Sequence, residues 1–196
     1  MRKKLSLLFF VFLFSYSSVA LNVHSTDKKI YLKTLHYFYE EVIEHPKASC
    51  ITINYMPTDE IPWGIGKTQQ EQLLDNIIVN NYYNHPLRND VDKFTSYLHS
   101  LFDGIADIHI ISKEELEELH NKQTRRKDFF KLLFKRYPCS GGHLFLSPIA
   151  YNADETEAII CLENVWHYLN GATFLAICKK VDGEWQVQEI KAVSQS

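Results

Sequence analysis

The strongest constraint on this chain lies in its last quarter, where apolar runs alternate with dipeptides suited to chain reversal. The runs cover residues 143–151, 158–166, 173–180 and 185–190. Between them stand Asn152-Ala153-Asp154, Asn170-Gly171 and Asp182-Gly183. Asn-Gly and Asp-Gly tolerate the positive φ that tight hairpins need, so the pattern predicts an antiparallel meander of four strands. The stretch Tyr137-Pro138-Cys139-Ser140-Gly141-Gly142 reads as the turn that leads into it. In the closing strand, alternation sends Trp185 and Val187 to one face and Gln186, Gln188 and Ile190 to the other.

Upstream, apolar residues recur at helical spacing. Tyr31, Leu35, Phe38 and Val42 mark a helix from about 26 to 44, capped by Thr26 and stopped before Pro46. A capping box at Thr68 and Glu71 opens a helix carrying Leu73, Leu74, Ile77 and Ile78. Asp90 or Asp92 starts a third, with Phe94, Tyr97, Leu98, Leu101 and Phe102 on one face and Gly104 as its stop. Ser112 and Glu115 form a second capping box, and residues 128–137 form a last helix. Residues 50–55 and 108–111 read as short strands. The expected class is therefore α+β. One domain spans residues 21–196, with a helical part over about 26–137 packed on a meander over about 143–192.

Residues 1–20 belong to a different category. Arg2, Lys3 and Lys4 precede an apolar stretch over residues 5–14, and Ser18-Val19-Ala20 places small residues where a signal peptidase reads. This predicts a leader cleaved after Ala20, with the mature chain in the periplasm or outside the cell and free of the membrane. The chain has 21 basic and 24 acidic residues, and three of the basic ones leave with the leader. A net-acidic mature protein argues against a nucleic-acid partner, whose binders need a basic surface.

Export puts the four cysteines, Cys50, Cys139, Cys161 and Cys178, in an oxidising compartment where disulfides are favoured. A four-residue loop over 168–171 would set Cys161 directly opposite Cys178 and allow a bond between them. The same two residues as buried free thiols are an equal reading.

Among candidates for chemistry, Cys139, Ser140 and His143 bring nucleophile types, glycines and a histidine into one turn. A small hydrolase would use Ser140 or Cys139 as nucleophile and His143 as base. The spacing lacks the glycine-nucleophile-glycine order of a nucleophile elbow, so a glycine-dependent turn is the simpler reading. Residues 63–68 end like a phosphate loop but carry Ile61 where its first glycine belongs. Nine histidines include no His-Glu-x-x-His, and no Cys-x-x-Cys pair occurs, so neither metal nor cofactor is read from the sequence. Glu114, Glu115, Glu117 and Glu118 read as a solvated helix face. Trp166, His167 and Tyr168 fall at the tip of the central hairpin. There they form a binding surface if exposed, or a cover for the sheet if folded back.

The segments 111–119, 137–141, 146–152, 157–160 and 179–187 together resemble a loose group of uncharacterised exported bacterial proteins. The shared features are a Tyr-Pro turn, a strand opening Leu146-Ser147, an Asn152-x-Asp154 turn and a closing Asp182-Gly183-x-Trp185. The group carries no assigned activity, so the resemblance implies a fold and nothing about a site. Together these readings predict an exported, non-enzymatic binding or interaction module, its partner a protein or small ligand of the cell envelope. A small hydrolase at the Cys139–His143 turn and a structural or inhibitory envelope module are the alternatives.

Overall fold

The computed structural model describes residues 25–42, 50–55, 90–122, 126–167 and 170–195. The expected stop at Pro46, the loop over 57–66, the capping box at Thr68 and its helix, and Tyr168 lie outside them. Helix α1 covers residues 25–37 and widens into a π-helical turn at Phe38–Val42. Strand β1 is Cys50–Tyr55, α2 is Val91–Phe102 and β2 is Ile108–Ile110. Helices α3 (Lys113–Asn121) and α4 (Arg126–Arg136) follow. Then come β3 (Ser140–Leu146), β4 (Ala150–Tyr151), β5 (Glu157–His167), β6 (Asn170–Val181) and β7 (Glu184–Gln195). The class is α+β.

The seven strands form one mixed sheet in the order β2-β1-β3-β5-β6-β7, with β4 also pairing β5. The C-terminal strands make the expected antiparallel meander. Strands β1 and β2 extend it as a parallel edge, β1 against β3 and β2 against β1. The steps β1 to β2 and β2 to β3 run in opposite directions across the sheet. A single crossover handedness then requires their helices on opposite faces. They are so placed. Phe94, Leu98, Leu101 and Phe102 of α2 join Ile30, Tyr31, Leu35 and Phe38 of α1 over Ile53, Leu144, Ile160, Leu162 and Phe174. On the other face Phe129 of α4 meets His143 edge to face, within a smaller cluster of Ile111, Leu119 and Leu133.

Local signals are realised where they are strictly local. Asp90 caps α2 by accepting the amide of Lys93, and Ser112 caps α3 by accepting that of Glu115. Gly104, at φ +76, turns the chain out of α2. Asp182 and Gly183 both have positive φ and join β6 to β7 in a two-residue loop, with Val181 opposite Glu184. Asn152 Oδ1 accepts the amides of Thr156 and Glu157 and closes the turn before β5.

Four expectations are corrected by longer-range structure. The run 143–151 is two strands, because Pro148 cannot donate to the ladder. Ser147 bridges the gap, its hydroxyl accepting the Cys161 amide at 2.9 Å. Asn170 and Gly171 are not a turn; they lie inside β6, opposite His167 and Val165. That displacement sets Cys161 opposite Leu175 and Cys178 opposite Ala158. An offset of three residues is odd, so the two cysteines point to opposite faces and the Cys161–Cys178 disulfide is ruled out. Both are buried free thiols. The disulfide instead joins Cys50 and Cys139, with Cα atoms 5.2 Å apart. Last, a bulge in β7 leaves Gln188 unpaired between Val187 and Glu189. Trp185 and Val187 face the main core as expected, and the bulge brings Ile190 onto the same face.

Candidate functional site

The geometry of the Cys139–His143 turn gives no nucleophile–base pair. Cys139 is consumed by the disulfide. Ser140 Oγ lies 3.1 Å from Thr52 Oγ1 and donates to the Gly142 carbonyl, which Thr52 also reaches at 2.8 Å. These bonds knit β3 to β1. His143 is 1% exposed, and neither ring nitrogen has a hydrogen-bond partner among the described residues. It packs edge to face on Phe145 at 4.5 Å. Burial, with a small contribution from His120, lowers its pKa to about 3. A general base must reach the proton it takes, and no hydrogen bond joins this ring to Ser140. Gly142 is the glycine this turn needs: a Cβ there would sit 2.8 Å from Asn164 Oδ1.

At the hairpin tip, Trp166 is partly buried and packs on the rim of the main core, whereas His167 is exposed. Trp166 thus covers the sheet. In the glutamate run Glu114, Glu117 and Glu118 are exposed and Glu115 is half-buried; Glu115 and Glu118 accept from Arg136 at 2.8 and 2.9 Å and tie α3 to α4. Hydrogen bonds from Lys122 and Arg136 hold the Glu118 carboxyl down to about 2. A third polar cluster binds elements that are distant in sequence. Buried Asp27 of α1 accepts from the hydroxyls of Tyr97 and Tyr151, joining α1, α2 and β4. Burial first, then the Asp27 charge, raises both tyrosines.

A concave surface lies elsewhere, at the parallel edge. A cleft of about 480 Å³ opens between the end of α2, the Gly104 turn and β2. His99, Phe102, Asp103, Ile108, His109 and Tyr137 contribute to its wall. The Tyr137 ring lies 5.4 Å from that of His109, and its hydroxyl donates to Glu115. Burial and the Glu115 bond push that hydroxyl's pKa up, so it stays a donor. The wall is braced from behind: Ile51 donates to Asp107, Ile111 donates to Ile53, and the Cys50–Cys139 bond closes the corner. Cys50, His109 and Cys139 present donor atoms all within 4.8 Å of one another, the one such metal-competent trio among the described residues. Sequence reasoning missed this site because its residues come from three separated segments, at Cys50, over 99–110 and over 137–139. The available signal was that Cys50 opens one predicted strand while Cys139 precedes another.

No protein-family model matches the chain, and neither a curated protein nor a solved structure matches it.

Proposed function

We propose that the protein is an exported binding module that holds a small amphiphilic ligand in the cleft beside β2. The observation that carries this reading is the cleft itself. Its volume falls within the range of small-molecule sites, and an apolar wall of Phe102, Ile105 and Ile108 converges with His99, His109 and Tyr137. Export rests on the leader over residues 1–20 and is supported by a disulfide within the fold. Among the described residues no helix is long and apolar enough to cross a membrane. The hydrolase alternative loses its footing at Cys139 and His143.

The test is a fragment screen on the mature chain by amide and imidazole NMR. Binders should shift His99 and His109 together, and Ala106→Trp, which fills the cleft, should abolish those shifts while leaving the spectrum folded. Hits that map away from β2, or that bind the filled variant equally well, would refute the reading.

A further inference from the structure

We propose that Cys50, Cys139 and His109 form a redox-gated site for a thiophilic divalent cation, Zn²⁺, which opens when the disulfide between the two cysteines is reduced.

The trio is assembled by three adjacent strands. Cys50 begins β1, Cys139 immediately precedes β3, and His109 is the central residue of β2. The ladder fixes the backbones of two of them: Cys50 pairs with Ser140, and Thr52 pairs with both His109 and His143. Cys139 sits in the turn just before β3, its carbonyl accepting the Cys50 amide, and the three donor atoms meet within 4.8 Å. In the oxidised protein the sulfurs are bonded to each other and cannot act as thiolates. A tetrahedral zinc with Zn–S of about 2.3 Å needs its two sulfurs about 3.8 Å apart. Side-chain rotation can open that gap, since the Cα atoms already stand 5.2 Å apart.

Two thiolates and one imidazole suit zinc, whose softer ligand sets are Cys and His. Three protein ligands leave one coordination position open. His109 also lines the cleft, so that position lies on the cleft side, within reach of water or of a donor atom on a bound molecule. The other two cysteines are no substitute. Cys161 and Cys178 point to opposite faces of the sheet, and neither belongs to the trio.

The chemistry balances with a dithiol as reductant. The dithiol gives two electrons and two protons to the Cys50–Cys139 bond and becomes a disulfide itself. The two new thiols then lose their protons as zinc binds, so each cycle consumes one dithiol and one Zn²⁺ and releases two protons. The site does not depend on what occupies the cleft.

The experiment uses the mature protein, oxidised or reduced with a phosphine, and Co²⁺ as a spectroscopic stand-in for zinc. The reduced protein should bind one Co²⁺ with a thiolate charge-transfer band and the visible bands of a tetrahedral ion, and Zn²⁺ should displace it. The oxidised protein should show neither. His109→Ala should weaken cobalt binding about tenfold or more, by analogy with the loss of a metal-supporting group. Cys161→Ala with Cys178→Ala should retain the bands. Circular dichroism is recorded throughout. A reduced chain that unfolds, a folded reduced chain without the bands, or a His109→Ala variant that binds as tightly as the parent would each overturn the proposal.

Discussion

Cys50 and Cys139 are bonded across a sequence separation of 89 residues, and the bond fastens the parallel edge of the sheet to the turn that begins its antiparallel part. It ties together the two regions with the least local reason to meet. A cross-link closing a loop of this length removes chain entropy worth about 4–5 kcal/mol from the unfolded state, and removal of native disulfides typically costs about 2–5 kcal/mol. Urea denaturation of Cys50→Ser/Cys139→Ser should show a loss in that range. A domain with more than about 5 kcal/mol of stability, within the usual range of about 5–15 kcal/mol, then stays folded, as zinc binding by the reduced protein requires. Equal stability of parent and double variant would mean the edge is held by the ladder alone.

Trp185 is 5% exposed and meets Tyr151 edge to face at 5.7 Å, with its carbonyl accepting from Lys33 of α1. Trp185→Ala should cost about 3–5 kcal/mol. Trp166 only caps the rim of the same core, so Trp166→Ala should cost less. Thermal melts of the two variants check the order.

His143 sets a pH dependence. Its folded pKa is about 3 against an ordinary value of 6.5, so the unfolded chain takes up a proton that the folded chain refuses. Its contribution is fully present above about pH 6.5 and is lost progressively as pH falls toward about 3. Phe129 and Phe145 pack edge to face on the ring, Glu163 lies across the ladder from Phe145 on the same face, and His120 is the charged neighbour that lowers the pKa further. His143→Leu removes two unpartnered nitrogens and should leave stability at pH 8 within about 1–2 kcal/mol of the parent. It should exceed the parent by an increasing margin as pH falls from 6.5 toward 4. Parallel stability curves for the two proteins over that interval would show that the ring is solvated after all.

Gly142→Ala should destabilise without touching any chemistry. The added Cβ meets Asn164 Oδ1 at 2.8 Å and the Val165 carbonyl at 3.2 Å, and the second of these is backbone that cannot turn aside. Overpacking of this kind costs about 1–3 kcal/mol. The measurement is a denaturation midpoint beside that of Gly104→Ala, where nothing lies within 4 Å and only the +76° φ resists.

Local features of the chain are legible from its residues. The Asp90 and Ser112 caps, the Gly104 stop, the Asn152 turn, the Asp182-Gly183 hairpin and the apolar faces of α1 and α2 each depend on residues within about a turn of one another. Their hydrogen bonds and dihedral preferences are carried by the residues themselves. Register is different, because it depends on a sum of turn position and bulges along two strands. A displacement of a few residues at the central hairpin moved Asn170 and Gly171 into β6 and put Cys161 and Cys178 on opposite faces. The bulge at Gln188 turned Ile190 inward for the same reason. Only the tertiary structure decided that β1 and β2 join the meander in parallel. Parallel neighbours are linked through long crossovers and leave no turn to read. With that edge in place, Cys50 meets Cys139, His109 comes within reach of both sulfurs, and the cleft beside β2 exists. The candidate site is a product of strand order, which no single stretch of the sequence encodes.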